Sequence, residues 1–204
     1  MIKAILLDLG NVLIGFDFAR GYRALADVCR YPAEQIPEVI SESGLVLPYE
    51  RGEISSQDFF SRLSQLLGLR VSYEQFCNLW TSIFLPGSLV PEELLIALRR
   101  RYPMVLVSNT NDIHYRMIED SYPLVRHFDA HILSYRVGAA KPAEKIYEEA
   151  VRAARCRAEE CFFTDDVEAY VEAARRKGLD AVQFRGAGEL VEELRRRGVE
   201  WGAV

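Results

Sequence analysis

Met104-Val105-Leu106-Val107-Ser108-Asn109-Thr110-Asn111 is the stretch that decides the fold: four consecutive apolar residues run into a serine and a polar turn. A short unbroken apolar run with two valines suits a strand buried on both faces, expected at 104–108. The amphipathic stretch at 111–120 follows it as a short helix. The alternation then repeats downstream, with strands at 130–134, 161–164 and 181–184 followed by helical patterns at 142–154, 168–177 and 189–197. Ile146, Tyr147, Ala150, Val151 and Ala154 share one face of the first of these helices, and Gly178 and Gly198 terminate the other two. Strands alternating with helices imply right-handed crossovers and a parallel sheet covered on both faces.

Residues 2–7 read as one more strand, but about eighty residues of a different character separate it from the rest. Between Gly15 and Ser88 the apolar period is helical, through Tyr22, Leu25, Ala26 and Cys29, then Phe59, Phe60, Leu63, Leu66 and Leu67, then Phe76, Leu79, Trp80 and Ile83. Ser55 followed by Asp58 opens one of these helices in the manner of a capping box, with Asp in place of the usual Glu. Helix resumes at Pro91-Glu92-Glu93, where proline suits the first turn and the acids face the positive end of the dipole. The expected fold is α/β: a Rossmann-like parallel sheet core built from residues 1–15 and 89–204, with a helical domain over 16–88 inserted after the first strand.

The composition bounds the function. Half of the 204 residues are hydrophobic, which excludes a disordered chain, and 30 acidic against 25 basic residues give a formal charge of −5. That acidity speaks against nucleic acid as a partner, which is normally met with a basic face. No apolar run reaches the roughly 18 residues of a membrane helix. The first residues lack the longer apolar core and small-residue cleavage site of a signal peptide, so the expected location is the cytoplasm. Cys29, Cys77, Cys156 and Cys161 show no paired spacing and read as reduced packing residues. Oligomeric state leaves no signal in the sequence. Of the 25 basic residues only Lys3, Lys141, Lys145 and Lys177 are lysine, so a lysine standing in a loop departs from the chain's strong bias toward arginine.

In open parallel sheets the site lies at the carboxyl ends of the strands. Those ends are occupied here by Asp8, by Ser108 with Asn109, and by Asp165 with Asp166, while Lys141 stands in the turn after the strand at 130–134. Gathered carboxylates repel one another, which makes a divalent cation their natural counterion; Mg²⁺ favours few carboxylates with backbone carbonyl and water. Metal, lysine and backbone amides together can hold a phosphate, and Asp8 is then free to attack phosphorus. The segment 16–88 has nine acids against six bases and the remainder 21 against 19. Neither part is basic, so attraction for an anion has to be local.

These segments also carry a family resemblance. Leu7-Asp8-Leu9-Gly10-Asn11-Val12-Leu13, Val107-Ser108-Asn109-Thr110-Asn111, Lys141-Pro142 with Ile146-Tyr147, and Phe162-Phe163-Thr164-Asp165-Asp166 resemble, in order, the four motifs of the haloacid dehalogenase (HAD) superfamily. The likeness spans essentially the whole chain and makes the insert over 16–88 a cap. The Asp-Leu-Gly-Asn-Val start, the stretch Glu50-Arg51-Gly52-Glu53-Ile54-Ser55, and Ser108-Asn109-Thr110-Asn111 with His114 look most like the bacterial α-D-glucose-1-phosphate phosphatase branch.

The resemblance implies a Mg²⁺-dependent phosphomonoester hydrolase acting on a small phosphorylated metabolite, a sugar phosphate such as glucose 1-phosphate. It makes Asp8 the nucleophile and Gly10 the residue whose carbonyl ligates Mg²⁺. Ser108 becomes the hydroxyl on the transferring phosphoryl group, Asn109 the amide beside it, and Lys141 the lysine orienting both partners. Asp165 and Asp166 form the acidic pair, with Asp166 the favoured ligand. His114 on its short helix either meets the substrate or packs. Arg51, with Glu50 and Glu53, either reaches into the cleft or belongs to a polar loop.

The chain departs from the family pattern in three respects. Gly10 stands where the commonest phosphatases have a second Asp as general acid, although the glucose-1-phosphate branch shares the glycine. A missing general acid costs a factor of roughly 10² to 10⁴. Tyr170 replaces an Asn after the acidic pair, and Thr164 and Val167 are unusual neighbours of that pair. Two other readings remain: a metal-free 2-haloacid dehalogenase, compatible with Gly10, and a weakly catalytic binding or sensor protein. Taken singly, the motifs have plain structural readings too. Ser108-Asn109 would make an ordinary turn, and Asp165-Asp166 would cap the helix that follows.

Overall fold

The computed structural model of the chain describes residues 1–202. Strands β1 (Ala4–Leu7), β2 (Met104–Ser108), β3 (Ala130–Leu133), β4 (Cys161–Asp165) and β5 (Asp180–Gln183) form one parallel sheet in the order β3-β2-β1-β4-β5. The chain therefore builds outward from β1 in one direction, returns, and builds outward in the other. That reversal opens a crevice at the carboxyl end of β1. In register, Leu7 pairs with Leu106 on one side and Thr164 on the other, so Asp8, Asn109 and Asp165 emerge at neighbouring levels.

Helices α1 (Phe18–Ala26), α2 (Ile36–Glu42), α3 (Val46–Glu50), α4 (Ser56–Leu67) and α5 (Tyr73–Thr81) lie between β1 and α6 (Glu92–Arg99). The remaining helices are α7 (Asp112–Ser121), α8 (Ser134–Val137), α9 (Glu144–Ala154), α10 (Glu168–Arg176) and α11 (Ala187–Arg196). None among the described residues is long and apolar enough to cross a membrane.

Strand alternation sends side chains to two cores. Ile5, Leu7, Leu106 and Phe162 pack with α6, α7 and α11 through Leu95, Leu98, Ile118 and Leu194, whereas Leu6, Val105, Val107 and Phe163 pack with α9 and α10 through Ile146, Ala150, Val171 and Ala174. Every residue of β1, β2 and β4 is buried, as the unbroken apolar runs require. Each large apolar side chain among them contributes about 1.5–3 kcal/mol on burial, and Leu106→Ala would cost about 2–5 kcal/mol. The five helices of the insert bury a third cluster around Leu25, Ile40, Tyr49, Phe59, Leu63 and Phe76, joined by Ile113 from α7.

Several local expectations shift. Helices α2 and α3 are too short to show a period in the sequence. Ser55 does cap α4, accepting from the Asp58 amide at 3.1 Å, but Asp58 Oδ2 accepts from the Ser55 hydroxyl rather than its backbone. Asp is one methylene shorter than the Glu of a full capping box, which forms instead between Ser72 and Gln75 at α5. The helix expected from 142 starts at Glu144, after a cis Lys141-Pro142 bond. Cys156 and Cys161, without paired spacing in the sequence, bring their sulfurs within 3.3 Å as free thiols.

Candidate active site

Lys141 is the hub of the crevice. Its Nζ donates to Asp8 Oδ1 at 2.6 Å, to Asp165 Oδ2 at 2.5 Å and to the carbonyl of Val107 at 3.1 Å, so all three ammonium protons are placed. The carboxyl ends of β1, β2 and β4 and the loop after α8 thus converge on one buried ammonium. Burial pushes the Asp8 carboxyl up to about 7, against the opposing pull of Lys141. For Lys141, burial alone would favour the neutral amine, but Asp8 and Asp165 outweigh it and raise its pKa, so it stays charged. Leaving either partner alone would cost several kcal/mol.

Asp8, Asp165 and Asp166 each offer a carboxylate oxygen within 4.8 Å of the others. The donors are hard oxygens without sulfur or imidazole, which fits Mg²⁺. The acidic pair is unequal. Asp165 is committed on both oxygens, to Lys141 and to the Val167 amide at 2.9 Å. Asp166 is only partly buried, and among the described residues its carboxylate has a single partner, Asn11 Nδ2 at 3.3 Å. Burial raises the Asp166 carboxyl, with Asn11 pulling the other way. Asp166 has the free oxygen a cation needs, and the Gly10 carbonyl accepts no hydrogen bond among the described residues.

Ser108 is buried at the end of β2, its hydroxyl in one long contact of 3.4 Å with its neighbour's carbonyl. Asn109, expected to face substrate, instead clamps the lysine's backbone: Lys141 N donates to its Oδ1 at 2.7 Å and its Nδ2 donates to Lys141 O at 3.0 Å. Tyr170 stands beside them, its ring 5.4 Å from the ammonium. Sequence reasoning misses Ser134, whose hydroxyl holds both backbone groups of Thr110 at 2.9 Å. The apolar pattern makes it the end of a strand, whereas it begins α8.

His114 and Trp80 lock α7 to the insert. The His114 Nε2 proton goes to the Trp80 carbonyl at 3.1 Å, Asn111 Nδ2 donates to Nδ1 at 3.0 Å, and the ring stacks on Trp80 with centroids 5.6 Å apart. Both nitrogens are therefore engaged within the protein, and burial lowers its pKa to about 4, keeping it neutral. Arg51 is exposed, with Glu53 at 3.9 Å as its ion partner. Its neighbour Gly52 is pressed against α8, where a Cβ would lie 2.1 Å from the Tyr135 carbonyl. Over Gly10 stands the ring of Phe16, its Cε1 2.8 Å from where a Cβ would be. An apolar cavity of about 280 Å³ opens within the insert, reaching His114 and Asn111.

A buried carboxylate held by lysine beside a hard-oxygen cation pocket is the equipment of a hydrolytic enzyme. The sequence profile of the haloacid dehalogenase-like hydrolase family matches residues 2–178, so the chain belongs to that family. The D-ribitol-5-phosphate phosphatase of Bacteroides thetaiotaomicron is 24% identical over 200 residues, covering 95% of this chain and 97% of its own. The crystal structure of a HAD family enzyme from the same organism, in complex with magnesium and inorganic phosphate, has a TM-score of 0.82 at 29% identity, covering 91% of this chain and 96% of its own. A HAD-like hydrolase from Porphyromonas gingivalis has a TM-score of 0.83 at 27% identity over 98% and 99%.

Proposed function

We propose that this protein is a Mg²⁺-dependent phosphatase that removes phosphate from a small phosphorylated metabolite through an aspartyl phosphate on Asp8. The observation that carries this reading is the convergence of Asp8, Asp165 and Asp166 within 4.8 Å beside Lys141. Bound by Asp8, Asp166 and the Gly10 carbonyl, Mg²⁺ would supply positive charge to the phosphoryl oxygens. Lys141 fixes Asp8 Oδ1, which leaves Oδ2 as the attacking atom, and Ser108 offers its weakly engaged hydroxyl to the phosphoryl group. Residues 16–88 act as a cap that excludes bulk water during transfer.

The substrate class we favour is a sugar or polyol phosphate. The narrower expectation of glucose 1-phosphate rests on sequence resemblance, while the Bacteroides relative is named for ribitol 5-phosphate. A phosphate-release panel containing both, run with Mg²⁺ and with chelator, tests the reading. Mg²⁺-dependent release from one of this class supports it. Chloride release from 2-chloropropionate in chelator, with no phosphate release, would favour the dehalogenase instead.

A further inference from the structure

Among the described residues the carboxyls of the crevice already have other roles: Asp8 attacks, Asp165 holds Lys141 and the Val167 amide, and Asp166 faces the cation pocket. Gly10 has no proton to offer a departing alkoxide, and Phe16 fills the space above it. Phe16 packs edge-on against Phe18 at 5.0 Å, and Phe18 lines the cavity in the insert, so the cavity borders the crevice at this aromatic pair. Asn111, which caps α7 three residues after Ser108, lines the cavity from the core side.

Glu50 is the one carboxyl among the residues lining this cavity. It is partly buried, and among the described residues it has neither a hydrogen bond nor an ion pair. The other titratable side chains there are poor donors: His114 has both nitrogens engaged, and Tyr22 is a phenol raised further by burial. Glu50 ends α3, which is fixed to the segment leading to Lys141 by the contact of Gly52 on the Tyr135 carbonyl. Burial raises the Tyr170 phenol and the Glu50 carboxylate adds to that shift, while the same ring stands 5.4 Å from the Lys141 ammonium. An unpaired acid in an apolar cavity, next to a crevice whose carboxylates are taken up by Lys141 and the cation pocket, is unexplained by packing.

Resting on the phosphatase reading above, we propose that Glu50 is the general acid of this enzyme, supplied by the insert in place of the acid absent at Gly10. Asp8 forms its bond to phosphorus as the bond to the substrate oxygen breaks. The electron pair stays on that oxygen, which takes the Glu50 proton and leaves as an alcohol. Water then attacks the aspartyl phosphate, returns one proton to Glu50 and releases inorganic phosphate and the Asp8 carboxylate. Burial raises the Glu50 carboxyl above its ordinary value, the direction a general acid needs.

The test compares Glu50→Gln with wild type on two esters, an alkyl phosphate such as ribitol 5-phosphate and p-nitrophenyl phosphate, whose leaving group needs no proton. The parameter is kcat/KM, which reports the steps up to the first irreversible one. The expected loss on the alkyl ester exceeds that on p-nitrophenyl phosphate by roughly 10²-fold or more. Equal losses on the two esters, or no loss on either, would overturn the assignment. If wild type released phosphate from no ester at all, the phosphatase reading itself would have failed.

Discussion

The ring of Phe16 occupies the space that any side chain on Gly10 would need, with Cε1 2.8 Å from the position of a Cβ. Phe16 is held edge-on by Phe18 at 5.0 Å and by Phe84 at 6.5 Å, so it cannot swing away freely. Gly10→Asp is therefore expected to lower stability by about 1–3 kcal/mol through overpacking and to leave alkyl esters no faster. Restoring space with Phe16→Ala in the same chain should recover part of the Tm. A single Gly10→Asp variant with unchanged Tm and faster alkyl ester hydrolysis would contradict the steric account.

Lys141 separates two carboxylates that it also neutralises. In Lys141→Met, Asp8 and Asp165 face each other without a cation, and the expected cost is about 3–5 kcal/mol near pH 8. Denaturant titration with and without Mg²⁺ measures it. Added Mg²⁺ should return part of the loss, because a divalent ion can replace the missing charge, though not the activity.

The acidic pair should divide its work. Asp165 anchors Lys141 and the Val167 amide, whereas Asp166 has the free oxygen. Asp165→Asn should lower Tm more than Asp166→Asn. Asp166→Asn should raise the Mg²⁺ concentration for half-maximal activity by at least roughly tenfold. Mg²⁺ titrations and melting curves of both variants decide, and the reverse ranking would exchange their roles.

His114 makes stability depend on pH. Its folded pKa is lowered from 6.5 to about 4 by burial, so between those values the unfolded chain binds the proton that the folded chain refuses. Stability therefore rises with pH across this window, and its His114 component, up to about 3 kcal/mol, is fully present above 6.5 and lost as pH falls to 4. His114→Gln should flatten the slope of unfolding free energy between pH 4 and 6.5. An unchanged slope would assign the dependence to other groups.

The alternation after Met104 is enough to read the parallel sheet, because strands buried on both faces must be continuous apolar runs and each crossover helix has its own period. The strand-end polar residues are legible for the same reason: Asp8, Ser108, Asp165 and Asp166 interrupt those runs. Less legible are relations that depend on side-chain direction. Asn109 follows Ser108 in sequence, yet its amide turns to the backbone of Lys141, a residue 32 positions away. Helices α2 and α3, at seven and five residues, carry too few turns to display a period. Phe16 reads only as the start of the insert, since nothing in its neighbours reveals that it stands on Gly10. Glu50 stands out in the sequence only as part of a polar stretch, because a cavity is a property of several helices at once.

The central claim is that Asp8 carries the phosphoryl group. Acid-quenched turnover with Mg²⁺ and a hydrolysed phosphomonoester, followed by peptide mass spectrometry, tests it directly. The expected result is a single phosphoryl group on the peptide containing Asp8 in wild type and on no peptide in Asp8→Asn, which should also have lost phosphate release. Full Mg²⁺-dependent phosphate release by Asp8→Asn would contradict the account.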